Sequence, residues 1–239
     1  MEGNDLWHVV SEPLPDRDLP PVLLVHGFGS NAQRDWDHLK LRLLESGRRV
    51  LAVDLPGHGH SVPCSPEQAR PSAVNSWLAR LIAEQGRPVD VVSYSLGARL
   101  CWDLPATGAC LRRLVLGGLV PFDPFAELDL QAVRAALSGS GCDDGLAAMI
   151  ARVISVPGND PQSLINAIEG LRSELFGPAE GFGVPTLFLN GEDDQMAAGG
   201  VGLAQLLADA TVSSVPGDHG SALHHPSFAD AVLSFLDAG

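Results

Sequence analysis

The chain has 239 residues, of which 45% are hydrophobic, and its 15 basic and 29 acidic side chains give a net charge of −14. This length and composition predict a folded protein of one large domain or two small ones, and they exclude a disordered chain. The negative charge opposes binding to nucleic acid and to anionic membranes, and no apolar stretch approaches the roughly 18 residues of a membrane span.

Short apolar runs rich in β-branched residues alternate with helical patterns along the chain. Glycine or proline bounds these runs, which is typical of strands buried on both faces. The predicted strands are residues 7–10 at an edge, 21–26, 49–54, 88–94, 112–118, 184–190 and 211–215. The predicted helices of the same alternation are residues 35–46, 71–86, 96–106, 200–209 and 226–237. The pattern predicts an α/β fold with a doubly wound, mostly parallel sheet of seven strands.

Residues 121–182 interrupt this alternation. Apolar residues follow helical spacing over 146–154 and again over 164–175, and no convincing strand pattern appears between them. About 60 residues of helical sequence is too long for a simple crossover between two strands. We therefore predict a helical lid over one end of the sheet, inserted into a core domain formed by residues 1–120 and 183–239.

A serine stands between a valine-rich strand and a helix. Residues 91–98 read Val-Val-Ser-Tyr-Ser-Leu-Gly-Ala, which is the sequence context of a nucleophile elbow. Such a turn would lift the Ser95 hydroxyl clear of the backbone and point the N–H of Leu96 toward a developing oxyanion. Gly97 supplies the small residue that the close approach of strand and helix needs. Ser93 stands where this pattern usually has glycine.

Four further segments end predicted strands with polar or glycine-rich sequence. Residues 26–30 (His-Gly-Phe-Gly-Ser) follow the first buried strand, and the two glycines would let the N–H of Phe28 turn inward as a second oxyanion donor. Residues 54–61 form a D-x-P-G-x-G-x-S loop after the next strand. Residues 191–194 (Gly-Glu-Asp-Asp) and 216–219 (Pro-Gly-Asp-His) follow the last two strands.

Taken in this order, the five segments resemble the α/β-hydrolase family from about residue 20 to the C-terminus. The resemblance implies a catalytic triad of Ser95, Asp194 and His219, in the chain order that this fold uses. His219 would accept the serine proton and return it to the leaving group, while Asp194 would fix the imidazole tautomer. The backbone N–H groups of Phe28 and Leu96 would form the oxyanion hole.

The acid member of this triad has rivals in the sequence. Asp194 lies three residues after Gly191, as the family's acid turn expects. Asp193 is adjacent and is the main alternative, with Glu192 less favoured. Some members of the family carry the acid after the preceding strand, which would point to Asp123.

Metal ligands and redox motifs are absent from the sequence pattern. No histidine pairs with Asp, Glu or Cys at metal-ligand spacing, so we expect no metal and no cofactor, and we expect His26 to brace the loop that it begins. The cysteines, Cys64, Cys101, Cys110 and Cys142, show no C-x-x-C spacing. Together with an acidic N-terminus that lacks a signal-peptide start, they predict a reduced cytoplasmic protein.

The resemblance implies a serine hydrolase that cleaves an ester or thioester of a small apolar substrate through an acyl-enzyme. Arg99, four residues after Ser95, resembles an arginine of the menaquinone-pathway lyase that makes succinyl-hydroxy-cyclohexadiene-carboxylate, so elimination from a carboxylated small molecule is an alternative. A structural salt bridge is the simpler interpretation of Arg99. A non-catalytic ligand receptor on the same fold is a third hypothesis. In each case the expected partner is a small molecule.

Overall fold

Seven strands form a single sheet in the computed structural model, which describes residues 6–177 and 182–238. The strands are β1 (His8–Ser11), β2 (Val22–Val25), β3 (Val50–Val53), β4 (Val89–Tyr94), β5 (Leu111–Gly117), β6 (Thr186–Gly191) and β7 (Ala210–Val215). Their order across the sheet is β1-β3-β2-β4-β5-β6-β7, and β1 pairs antiparallel with β3 while every other pairing is parallel. The predicted doubly wound, mostly parallel sheet is confirmed.

Alternation along the central strands divides the core into two layers. In β2, Leu23 and Val25 point into a hydrophobic cluster that includes the helices over residues 71–83 and 96–101. Val22 and Leu24 point into a second cluster, which includes the helices over residues 32–45 and 226–237. All residues of β2, β3 and β4 are buried. Both faces are therefore covered, which is why β2 and β3 are continuously apolar instead of alternating with polar residues. The buried polar residues of β4, Asp90 and Ser93, have hydrogen-bond partners.

Eight helices lie in the described part of the chain. They are α1 (Ala32–Glu45), α2 (Pro71–Ala83), α3 (Leu96–Cys101), α4 (Leu130–Leu137), α5 (Gly145–Ile154), α6 (Pro161–Leu171), α7 (Gly200–Ala204) and α8 (Pro226–Asp237). None of the described helices is long and apolar enough to cross a membrane. The prediction of a helix over 200–209 was wrong in length, because only one turn forms there.

The interrupting segment contains α4, α5 and α6, and its described residues include no strand. The side chain of Asp144 caps α5, and the side chain of Asp160 caps α6 in front of Pro161. The second amphipathic stretch ends at Leu171, not at Leu175, whose side chain is exposed. That these helices act as a lid stays a prediction.

The sheet order reverses between β2 and β4, because the chain first adds β3 on one side of β2 and then crosses to add β4 on the other. At such a point the connections leave toward opposite faces and open a crevice at the carboxyl ends of the strands. The residues that directly follow β2 and β4 border this crevice.

Candidate active site

Ser95 occupies a strained turn between β4 and α3. Its backbone has φ +51° and ψ −112°, a conformation that residues with a side chain rarely adopt. Its N–H donates a hydrogen bond of 2.8 Å to the carbonyl oxygen of Gly117 on the neighbouring strand. The turn therefore has the form of the nucleophile elbow expected from the sequence.

The two residues flanking this turn explain how strand and helix can approach. A Cβ on Gly97 would stand 2.2 Å from the carbonyl oxygen of Val25, so only glycine fits there. Ser93, which replaces the usual glycine, is fully buried and its hydroxyl donates to the carbonyl oxygen of Val115 at 2.7 Å. The departure from the family pattern is accommodated because the extra hydroxyl has an acceptor.

The structure brings together Ser95, His219 and Asp194, which the sequence places after three different strands. Nε2 of His219 lies 2.9 Å from Oγ of Ser95, and Nδ1 lies 2.8 Å from Oδ2 of Asp194. Both distances are hydrogen bonds. This chain of contacts can move a proton from the hydroxyl to the imidazole and stabilise the imidazolium that results.

Asp194 is well placed as the acid of this chain. Burial raises the pKa of its side chain, but hydrogen bonds from His219 and from the N–H groups of Ala197 and Met196 outweigh that effect and lower the pKa overall. Asp193 and Glu192 are exposed.

Asp123, the other rival, has partners other than the imidazole, whose Nδ1 is paired with Asp194. The Asp123 carboxylate accepts from the backbone N–H groups of Phe125 and Phe176 and faces Arg99.

His219 is fixed on its main-chain side as well. The hydroxyl of Tyr94 donates to the carbonyl oxygen of His219 at 2.9 Å, and the two rings pack 5.7 Å apart. Gly118, with φ +55°, leaves space for both rings, since a Cβ there would lie 3.0 Å from Tyr94 and 3.2 Å from His219. Tyr94 is the chain's one tyrosine and directly precedes Ser95, which is the signal that could have identified it.

The predicted oxyanion donors border the same turn. Leu96 is the first residue of α3, where helical N–H groups have no intrahelical acceptor. Phe28 lies in the loop after β2, the strand that neighbours β4 in the sheet. Within the described residues, neither N–H donates a hydrogen bond to protein. Both donors are therefore free for a ligand.

The loop that carries Phe28 is held on both sides of Gly27. His26 is fully buried, and its Nδ1 donates to the carbonyl oxygen of Gly27 while its Nε2 accepts from the N–H of Leu55. Burial lowers the pKa of His26, which keeps the ring neutral, so that Nδ1 can donate while Nε2 accepts. The N–H of Gly27 donates to Asp35 at 2.9 Å, and the hydroxyl of Ser30 donates to the same carboxylate. Asp35 was not identified from sequence.

Arg99 is almost fully buried and has several partners. It pairs with Asp103 at 3.2 Å, donates to the carbonyl oxygen of Glu174 at 3.0 Å, and covers the ring of Phe176. These contacts connect α3 to the chain that follows α6, which supports the structural interpretation of this arginine.

A cavity of about 300 Å³ opens onto Ser95 and His219. Its polar lining consists of these two residues together with Arg99 and Asp123. The rest of the lining is apolar and comprises Phe28, Leu96, Val120, Phe122, Pro124, Phe125, Leu146, Met149, Ile150, Val153, Leu171 and Met196. The site therefore presents an apolar pocket to any group held next to the serine. No cluster of three or more metal-binding side chains occurs among the residues described.

Most of the chain matches one known protein family. Residues 22–234 match the model of a family described as the alpha/beta hydrolase family. Pimeloyl-(acyl-carrier protein) methyl ester esterase from Vibrio atlanticus is 35% identical over 97 residues, which are 41% of this chain and 33% of that protein. The chain spans between 25% and 63% of the length of the curated relatives it matches.

Two solved structures resemble the whole fold. The enol-lactonase from Burkholderia xenovorans LB400 has a TM-score of 0.77 at 21% identity, with 98% of this chain and 96% of that chain covered. MenH from S. aureus also has a TM-score of 0.77, at 18% identity, with 96% and 97% covered. At these identities the likeness shows the fold alone.

Proposed function

This chain belongs to the alpha/beta hydrolase family, and on that premise we propose that it hydrolyses an ester or thioester of a small apolar substrate through an acyl-enzyme on Ser95. The observation that supports the proposal is the hydrogen-bonded chain from Ser95 through His219 to Asp194. The esterase name of one curated relative agrees with this chemistry.

In the proposed reaction, Oγ of Ser95 attacks the substrate carbonyl carbon while its proton passes to Nε2 of His219. The carbonyl electrons move to the oxygen, and the N–H groups of Phe28 and Leu96 stabilise the oxyanion. As the carbonyl re-forms, the bond to the alkoxide or thiolate breaks, and the leaving group takes the proton from His219. Water then repeats the sequence on the acyl-enzyme, releasing the acid and restoring the Ser95 hydroxyl.

The cavity supports an apolar substrate. Burial of a hydrocarbon chain against its leucine, phenylalanine and methionine side chains contributes about 25 cal/mol for each Å² of apolar surface removed from water. Of the pocket's two charged side chains, Arg99 is already paired with carboxylates, so the structure favours hydrolysis of a neutral ester over elimination from a carboxylated molecule.

A fluorophosphonate probe tests the nucleophile. We expect one adduct per chain, on Ser95, together with turnover of neutral p-nitrophenyl esters. Ser95→Ala should abolish both, and the matched variant Ser93→Ala should retain both, because the Ser93 hydroxyl is committed to a carbonyl oxygen. The proposal is wrong if neutral esters give no burst and no turnover while a carboxylated substrate undergoes elimination that depends on Arg99.

A further inference from the structure

Two charged side chains lie next to each other in the wall of the cavity beside Ser95 and His219. Arg99 and Asp123 both line it, and the side chain of each is only 9% exposed. Their closest atoms, Nη2 of Arg99 and Oδ2 of Asp123, are 3.9 Å apart, which is too long for a hydrogen bond. The pair is thus close enough to attract but leaves hydrogen-bonding capacity on both partners.

That remaining capacity follows from the other contacts of the two groups. The guanidinium has five N–H donors, and its hydrogen bonds go to Asp103 and to the carbonyl oxygen of Glu174. The Asp123 carboxylate accepts at 3.2 Å from Phe125 and at 3.4 Å from Phe176, both at the long end of the usual range. A carboxylate has about four acceptor positions, so Oδ2 can accept a further, shorter bond.

The charge balance at this point selects the kind of group that fits. The Arg99 guanidinium pairs with two carboxylates, that of Asp103 outside the cavity and that of Asp123 in its wall, so its positive charge is already balanced. A substrate carboxylate placed there would meet repulsion from Asp123, whose side chain is 9% exposed. A neutral group that both accepts from Arg99 and donates to Asp123 would satisfy both charges.

We infer that Arg99 and Asp123 form a subsite for an uncharged hydroxyl group carried at a distance from the scissile ester. For a hydroxyl oxygen about 2.8 Å from both Nη2 and Oδ2, the angle Nη2–O–Oδ2 at that oxygen would be about 90°. With a small increase in the distance between Nη2 and Oδ2, the hydroxyl oxygen can accept from Arg99 while its hydrogen is donated to Asp123. If Ser95 cleaves esters as proposed above, the substrates are hydroxyacyl esters.

Equilibrium binding to the Ser95→Ala variant tests the subsite separately from turnover. Ethyl esters of acids from three to eight carbons would be compared by calorimetry in matched sets that end in a methyl, a hydroxyl or a carboxylate. At one chain length, we expect the hydroxyl ester to bind about tenfold or more tighter than its methyl partner, as for a hydrogen bond to a charged group. The carboxylate ester should bind weakest. Equal binding of the hydroxyl and methyl esters at every length would overturn the inference, as would a preference for the carboxylate.

A matched pair of variants separates the subsite from a structural role of the ion pairs. Asp123 and Asp103 both pair with Arg99, but only Asp123 lines the cavity. In the Ser95→Ala background, Asp123→Asn should reduce the hydroxyl preference about tenfold, and Asp103→Asn should preserve it. Equal losses in the two variants would overturn the inference. Failure of esterase activity in the unaltered protein would contradict the proposed function without changing these binding results.

Discussion

The two oxygens of the Asp194 carboxylate have different partners. Oδ1 accepts from the N–H groups of Met196 and Ala197 at 3.0 and 3.1 Å, and Oδ2 accepts from Nδ1 of His219 at 2.8 Å. The main-chain donors fix the carboxylate, and the carboxylate in turn selects the tautomer that carries its proton on Nδ1. Nε2 of His219 is then unprotonated and able to accept the proton of Ser95.

Replacing that carboxylate tests its role. Asp194→Asn is expected to lower kcat by about 10⁴-fold, because an amide donor favours the wrong tautomer of the imidazole. Asp193→Asn is the control, since Asp193 is exposed and should affect kcat little. Steady-state kinetics on neutral esters decides between them, and a larger loss in Asp193→Asn would mean that the acid turn has been assigned one residue out of register.

A buried histidine beside the oxyanion loop should make stability depend on pH. His58 packs against His26 and Phe28, and burial lowers its pKa from 6.5 to about 3. Below pH 6.5 the unfolded chain binds a proton at this residue that the folded chain does not, so stability present above pH 6.5 is lost as the pH falls toward 3.

The slope from His58 alone is about 1.4 kcal/mol per pH unit over that interval. Urea unfolding at pH 6.5 and pH 5 should therefore show a loss of about 2 kcal/mol from this residue. In His58→Phe this part of the loss should disappear, while the part due to His26 remains. An unchanged slope in His58→Phe would show that His58 is protonated in the folded protein.

At the scale of elements, helix α5 presents two pocket residues that differ in exposure. Met149 is 39% exposed and Ile150 is 5% exposed, although both line the cavity. Met149→Ala should shift acyl-chain preference at little cost in stability, whereas Ile150→Ala should also lower the free energy of unfolding by about 2–5 kcal/mol. Melting temperatures and a chain-length profile measure the two effects. If both variants lose stability without any change in preference, α5 is core and does not select the acyl chain.

The ends of the helices show what local sequence could and could not predict. Helix α1 begins at Ala32, three residues before the predicted start, because the side chain of Asn31 accepts from the N–H groups of Gln33 and Arg34. Helix α3 stops at Cys101 and a separate 3₁₀ turn follows over Leu104–Thr107, where Pro105 prevents a continuous helix. Strand positions were predicted better, since burial on both faces imposes a continuous apolar pattern that sequence displays directly.

At the scale of the whole molecule, contacts distant in sequence set the limit of prediction. Ser95, Asp194 and His219 could be proposed because each follows a recognisable strand. The partners of Arg99 could not, since Glu174 is 75 residues away and depends on how the segment after α6 returns to α3. The same holds for Tyr94 and His219, which are 125 residues apart.

A second group of buried charges lies at the opposite, amino-terminal edge of the sheet. Asp90, fully buried at the start of β4, accepts from Arg112 at 2.6 and 2.8 Å and from Arg48 at 3.2 Å. Arg48 and Arg112 also donate to the carbonyl oxygen of Leu236 near the end of α8. The network connects the last helix to the centre of the sheet.

Asp90→Asn should therefore lower stability by about 3 kcal/mol, because it leaves the partly buried Arg112 guanidinium without its carboxylate and leaves the buried Arg48 with Asp237 as its one carboxylate partner among the described residues. Asp230→Asn is the control: its ion pair with Arg42 is exposed, and its loss should cost less than about 1 kcal/mol. Urea unfolding measures both. The kcat of folded Asp90→Asn should match that of the unaltered chain, since Asp90 lies at the other end of the strand that leads to Ser95.

The hydrogen bond from Tyr94 to the carbonyl oxygen of His219 has a thermal consequence. Ser95 and the residue that anchors the histidine loop are neighbours in sequence, both at the end of β4, so the hydroxyl and the imidazole share one rigid support. The loop cannot loosen alone without breaking this bond, which protects the site from partial melting. Inactivation on heating should accordingly coincide with loss of the sheet, without an earlier phase in which a folded protein is inert.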